Sequence, residues 1–149
     1  MKNLLYKLTL IIAISFSTVL LNSCSKDDNN STTGSSSNAQ YFSDNVLNRD
    51  LTVQQALNGS TDITASFNGY TFRLTKNAAY SGIITAANDL LSENGTWSID
   101  ADYSNLTFSF PTDMIPDLAF FNKQWQFSSR SSAVVELTSG SDVLKFQRK

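Results

Sequence analysis

Ile63, Ala65 and Phe67 alternate with Thr64 and Ser66, and after Asn68-Gly69 the alternation resumes as Tyr70, Phe72 and Leu74 against Thr71, Arg73 and Thr75. A period of two puts successive side chains on opposite faces of a strand, so these runs predict a hairpin with one apolar and one polar face. The same period returns at Trp97/Ile99, Leu106/Phe108/Phe110, Trp125/Phe127, Ala133/Val135/Leu137 and Leu144/Phe146. With residues 51–57 and 79–86 it predicts about eight strands. Asn-Gly pairs at 58–59, 68–69 and 94–95 tolerate the positive φ of a tight hairpin turn and predict one at each place. Short strands joined by evenly spaced turn signals point to an all-β sandwich or antiparallel barrel.

Two stretches break the alternation. Between Pro111 and Lys123, the run from Asp113 to Phe121 predicts one or two helical turns starting near Pro116, with Ile115, Leu118, Phe120 or Phe121 packing onto an end of the sheet as a short helical cap or a lid. In residues 45–55, Val46, Leu47, Leu51 and Val53 fit either a short helix leading into a strand or one longer strand.

The N-terminus follows a different pattern. Lys2 and Lys7 precede an uncharged apolar run over residues 8–21, the basic and hydrophobic regions of a secretory signal, too short to match the roughly 20 residues of a membrane span. Leu21-Asn22-Ser23-Cys24 then resembles the bacterial lipobox, which implies cleavage before Cys24 and acylation of its sulfur. Residues 25–38 are Ser, Asn and Gly-rich with few apolar side chains, a composition expected of a flexible tether. Lys26-Asp27-Asp28 resembles the surface-export signal of Bacteroidota lipoproteins, a Lys followed by two acids. The expected organisation is a signal peptide over 1–23, a lipidated cysteine and disordered tether over 24–40, and a barrel domain over 41–149. Acyl chains add about 0.8 kcal/mol per buried methylene, so they hold a protein at a membrane without any spanning helix.

Composition narrows the chemistry. No histidine occurs in the 149 residues and cysteine occurs once, so Ser/His/Asp and Cys/His catalytic arrangements are excluded and a thiolate zinc site is not available. The formal charge is −2, and removal of Lys2 and Lys7 with the signal peptide would take it to −4. An acidic surplus argues against nucleic acid as a partner. The two glutamates, Glu93 and Glu136, show no spacing that sets up a glycosidase pair. Asp100 and Asp102, with Asp62 or Asp89, are the candidate oxygen ligands for calcium, but no Asp-x-Asp-x-Asp-Gly loop is present, and solvated loop positions are the expectation. A non-enzymatic protein with no cofactor and no metal is expected.

The segment Asp62-Ile63-Thr64-Ala65-Ser66-Phe67-Asn68-Gly69-Tyr70-Thr71-Phe72, then Asn94-Gly95-Thr96-Trp97-Ser98-Ile99, Trp125-Gln126-Phe127 and Leu144-Lys145-Phe146, resembles the lipocalin-like lipoproteins of Bacteroidota. The resemblance implies an eight-stranded, up-and-down, lipocalin-like barrel on a lipid tether at the outer membrane, facing the exterior. Gly95-Thr96-Trp97 lies in mid-chain, where true lipocalins carry their Gly-x-Trp on the first strand, so no lipocalin pocket is carried over. In such a barrel the inward aromatics are either a packed core or the wall of a pocket. Tyr70, Phe72, Trp97, Phe108, Trp125 and Phe127 are accordingly the candidate contacts for a small apolar or amphipathic ligand. Tyr80 and Tyr103 are candidate exposed platforms. The competing expectation is a barrel without a cavity that meets a protein partner through its loops, as an enzyme inhibitor or an accessory subunit of an outer-membrane complex. Its candidate loops are Asp100-Ala101-Asp102-Tyr103 and Asn88-Asp89.

Overall fold

A computed structural model describes residues 32–149; Cys24, Lys26, Asp27 and Asp28 lie outside the described residues. The order of elements is a helix α1 (Thr32–Asn45), strands β1 (Leu51–Asn58) and β2 (Thr61–Asp62), a 3-10 helix (Thr64–Phe67), then β3 (Thr71–Ala78), β4 (Ser81–Ala87), β5 (Ser92–Ile99) and β6 (Asn105–Ser109). A second 3-10 helix (Pro116–Phe121) precedes β7 (Gln124–Arg130), β8 (Val134–Ser139) and β9 (Asp142–Arg148). From β3 to β9 each strand pairs antiparallel with the next, and β1 pairs with β9 from Leu51↔Arg148 to Leu57↔Val143. This closure makes an eight-stranded up-and-down barrel, with the two-residue β2 as an extra strand on β1.

Closure is uneven. β1 meets β3 at the single pair Leu51↔Phe72. Below that pair the segment between α1 and β1 seals the seam: Leu47 bridges Leu74, and the Asn48 amide donates to the Leu74 carbonyl at 2.8 Å. Arg73 ties the same segment from outside, donating to the Asp50 carboxylate at 2.8 Å and the Asn48 carbonyl at 3.0 Å. Asn48 has φ +56°, a left-handed turn that Asn tolerates better than most residues.

Each barrel end is closed by a short element. At one end α1 inserts Phe42, followed by Val46, both buried. Its outer residues grip the loops there, with the Tyr41 hydroxyl donating to the Ser131 carbonyl at 3.1 Å and the Asn38 amide to the Asp102 carbonyl at 3.0 Å. At the other end the Pro116–Phe121 helix buries Leu118, Phe120 and Phe121, as the sequence predicts, and the Trp125 indole N–H pins it through the Phe121 carbonyl at 3.0 Å.

Three local expectations are corrected. The helix α1 begins at Thr32, inside the stretch that composition marks as tether, and the ambiguous stretch after it divides into a helix end and β1. Residues 63–67 do not form a strand. Asp62 accepts the Thr64 amide at 2.9 Å and the Thr64 hydroxyl accepts the Ala56 amide at 2.8 Å, which coils Thr64–Phe67 and turns Phe67 into the core, so Asn68-Gly69 is not a hairpin turn. Asn94-Gly95 is not a turn either, because it lies within β5. A Cβ at Gly95 would come within 2.5 Å of the Ser109 carbonyl oxygen and 2.7 Å of the Phe110 ring, so the glycine permits close approach of β5 to β6. Only Asn58-Gly59 makes its predicted turn, with Gly59 at φ +60° between β1 and β2.

Candidate functional site

The inward positions converge as the alternation predicts. Phe72, Trp97, Phe108, Trp125 and Phe127 are buried, and Tyr70 packs half-buried against the same core. What fills the space between them is the chain itself. The Phe121 ring, brought in by the 3-10 helix, lies 4.9 Å from Phe72, 5.1 Å from Phe67 and 6.0 Å from Phe146, centroid to centroid. From the other end, Phe42 sits 5.4 Å from Trp97, 5.8 Å from Tyr103 and 6.4 Å from Phe127. Such ring pairs contribute about 0.5–1.5 kcal/mol each beyond their area. A ligand reaching Phe72 or Trp97 therefore competes with a covalently delivered ring.

The end closed by the 3-10 helices carries an open cleft. Asn58, Ile63, Ser66, Phe67, Pro116, Asp117, Ala119, Phe120 and Lys123 enclose about 380 Å³, within the usual size of a small-molecule site. Its floor is aromatic and its rim polar. Lys123 is partly buried: its ammonium donates to Asp142 at 2.6 Å and lies 4.6 Å above the Phe120 ring and 5.3 Å above Trp125. The hydrogen bond from Lys123 holds the Asp142 carboxyl below the ordinary carboxylate range, reinforced by the Gly59 amide at 2.7 Å.

The loops carry the remaining candidates. Asp100 is a loop staple: Oδ1 accepts the amides of Ser104 at 2.7 Å and Asn105 at 3.0 Å, and Oδ2 accepts the Asn105 side chain at 2.6 Å. Partial burial pushes its carboxyl up, but these bonds outweigh it and hold the group below its ordinary value. Among the described residues no three acidic or Cys side chains are grouped to hold a metal. Glu136 faces Lys145 across β8 and β9 at 3.3 Å. Tyr80 is 45% exposed, whereas Tyr103, at φ +59°, leans on Phe42 and on Tyr80 at 5.8 Å.

Sequence reasoning passed over the β4–β5 loop's apolar residues. Asn88 Oδ1 accepts the amides of Leu90 at 2.9 Å and Leu91 at 2.7 Å, which fixes the loop and leaves Leu90 90% exposed. The Asn-Asp-Leu-Leu order was the available signal for the turn, since an Asn side chain accepts from the backbone two residues on. Among the described residues no helix is long and apolar enough to cross a membrane. Comparison with known proteins returned no match to any family model, curated protein or solved structure.

Proposed function

We propose that this protein is a lipid-anchored lipoprotein, acylated at Cys24 and displayed on the outer face of the outer membrane, whose barrel binds through its outer wall and loops and encloses no ligand. The observation that carries this reading is the double plug: Phe42 and Phe121 occupy the barrel from its two ends, against Trp97, Phe127, Phe72 and Phe146. The lipobox at Leu21–Cys24 and the Lys26-Asp27-Asp28 signal support the anchor and its exposure, and the absence of histidine supports a role without catalysis.

The test is native mass spectrometry of the gently purified full chain, before and after organic extraction. The acylated polypeptide alone is the expected species. A further mass that extraction removes, and that Phe120→Ser in the end cleft leaves in place, would overturn the closed interior. Incorporation of labelled palmitate should vanish in Cys24→Ser, and protease applied to intact cells should shave the protein unless Lys26, Asp27 and Asp28 are replaced by alanine.

A second reading follows from the 380 Å³ cleft. A small amphipathic ligand would lay its apolar part on Phe67 and Phe120 and its polar part toward Asp117 and the Lys123–Asp142 pair. An extractable mass that survives Phe121→Ala yet is lost in Phe120→Ser would favour this cleft.

A further inference from the structure

The outer wall of the barrel is divided by charge. Opposite the seam of β8 and β9, where Glu136 and Lys145 pair, the outward positions of β4, β5 and β6 are all uncharged. Glu93, the one charged residue of these three strands, lies on the inward parity at the rim. Surfaces normally carry about a quarter to a third charged residues, so three neighbouring strands without one are a distinctive face.

That face carries a groove of about 310 Å³, walled by Asn77, Ser81, Thr96, Ser98, Thr107 and Ser109 and floored by Gly82 and Trp97. The register aligns its hydroxyls. Ser81 pairs with Ser98 and Ser98 with Thr107, giving one row across three strands, and Thr96 pairs with Ser109 in the row above. Neighbouring strands lie about 4.7–4.9 Å apart, which sets the spacing within each row.

Asn77 enters by a different route. The ladder shifts between Lys76↔Gly82 and Ala78↔Ser81, leaving Asn77 as the extra residue of a bulge. Bulges re-aim a side chain out of the regular pleat. On the opposite strand, a Cβ at Gly82 would stand 1.9 Å from the Thr75 carbonyl oxygen, and the Trp97 indole N–H donates to that same oxygen at 3.0 Å. One residue before Ser81, the exposed Tyr80 ring is braced by Tyr103.

We propose that this groove is a binding site for a neutral oligosaccharide. Hydroxyl and amide side chains donate and accept with equal ease, which matches a polyol and discriminates poorly among peptides. The cores of protein interfaces are built on accessible apolar and aromatic anchors, whereas the one aromatic of this groove, Trp97, is 2% exposed at its floor and the neighbouring Ile83, beside Thr96, is half-buried. An anionic polymer would need cations that the face lacks, and a cationic ligand would need acids that it also lacks. The assignment supplies a ligand class to the outer-surface binding proposed above, and it rests on that reading only in placing recognition outside the barrel.

The test is calorimetric titration of the full chain in detergent with a panel of neutral linear hexasaccharides of glucose, xylose and mannose, and with polygalacturonate as a charged comparison. At least one neutral probe should bind with Kd in the micromolar to millimolar range, Asn77→Ala should weaken it about tenfold and Thr107→Arg should abolish it. Gln147→Arg, exposed on the far wall, should leave it unchanged. Thermal unfolding of each variant separates a lost site from a lost fold. The assignment is overturned if no neutral probe binds at millimolar concentration, if binding survives both groove variants, or if polygalacturonate alone binds. Any of those results with a bare polypeptide mass in native spectrometry would remove the sugar site and leave the outer-surface reading standing.

Discussion

Phe121 shows how much one side chain decides. Its ring stands between Phe72, Phe67 and Phe146, at centroid distances from 4.9 to 6.0 Å, so truncation leaves a hole that several rigid rings cannot all close. Phe121→Ala is expected to cost about 3–5 kcal/mol in chemical denaturation, and the dry cavity it leaves should take up benzene, raising the variant's thermal midpoint and leaving that of the unaltered protein unchanged. A wild-type-like midpoint would mean that the barrel centre is elsewhere. Gly95→Ala tests a second residue-scale argument. The new methyl would meet Ser109 backbone at 2.5 Å, and overpacking of this kind costs about 1–3 kcal/mol. Were Asn94-Gly95 a solvent-exposed turn, the change would read as a lost positive φ with no effect on β5–β6 amide exchange, whereas steric pressure should loosen those amides. Nothing in the local string Asn-Gly-Thr-Trp separates the two, because glycine serves turns and close approaches alike.

At the scale of elements, α1 is the one that composition hides. Its sequence, Thr-Thr-Gly-Ser-Ser-Ser-Asn-Ala-Gln-Tyr-Phe-Ser-Asp-Asn, has no acid in the first turn, no base in the last and only two aromatics. Intrinsic propensity does not form this helix in isolation; docking of Phe42 and Tyr41 against Trp97, Tyr103 and Phe127 does. Phe42→Ala should therefore detach the helix while the barrel persists. The measurement is hydrogen exchange, with protection lost at Val46 and Leu47, whose amides both donate to the Phe42 carbonyl at 3.0 Å, and retained in β4 and β5, together with a red shift of Trp97 emission. Loss of protection throughout would make α1 part of the folding core. The Pro116 helix, in contrast, was legible because proline fixes the first turn and Leu118, Phe120 and Phe121 follow within it. Among the candidate ligand contacts, strand alternation placed five of six in the core, but alternation is silent about what stands opposite them. Phe42 and Phe121 are delivered by helices outside the strand pattern, whose docking depends on tertiary packing.

For the whole molecule, the titrating groups set a plateau of stability with two edges. The chain has no histidine, so no side chain of the barrel has an ordinary pKa between about 5 and 8. On the acid side, Asp142 is lowered by its bond from Lys123, and Asp100 is lowered because bonds from Asn105 and Ser104 outweigh its burial. A carboxyl with a folded pKa below its unfolded value of about 3.9 contributes fully above that pH and loses its contribution as pH falls through the folded value. On the alkaline side, burial raises the Tyr41 phenol above its ordinary value of 10.0. That contribution is complete below about pH 10 and disappears as pH rises through the higher folded value. The expected profile is a flat denaturation midpoint from about pH 5 to 9 that falls below about pH 4 and again above about pH 10. Asp100→Asn and Asp142→Asn should each lower the plateau and shrink the drop on the acid side, since the group whose protonation produced part of it is gone, and Tyr41→Phe should shrink only the alkaline drop. An acid edge unchanged in both aspartate variants would assign it to Asp62, which its hydrogen bonds with Thr64 also hold below the ordinary carboxylate value, or to net positive charge on the whole chain. The loop staple at Asp100, the Asp142–Lys123 tie beside Gly59 and the hydroxyl of Tyr41 on Ser131 join elements at opposite ends of the barrel. Acid should consequently open both ends, at the Asp100 loop beside α1 and at the Asp142–Gly59 tie opposite it, whereas alkali should open the helix end alone, as amide exchange at Gly59, Ser104 and Val46 would report.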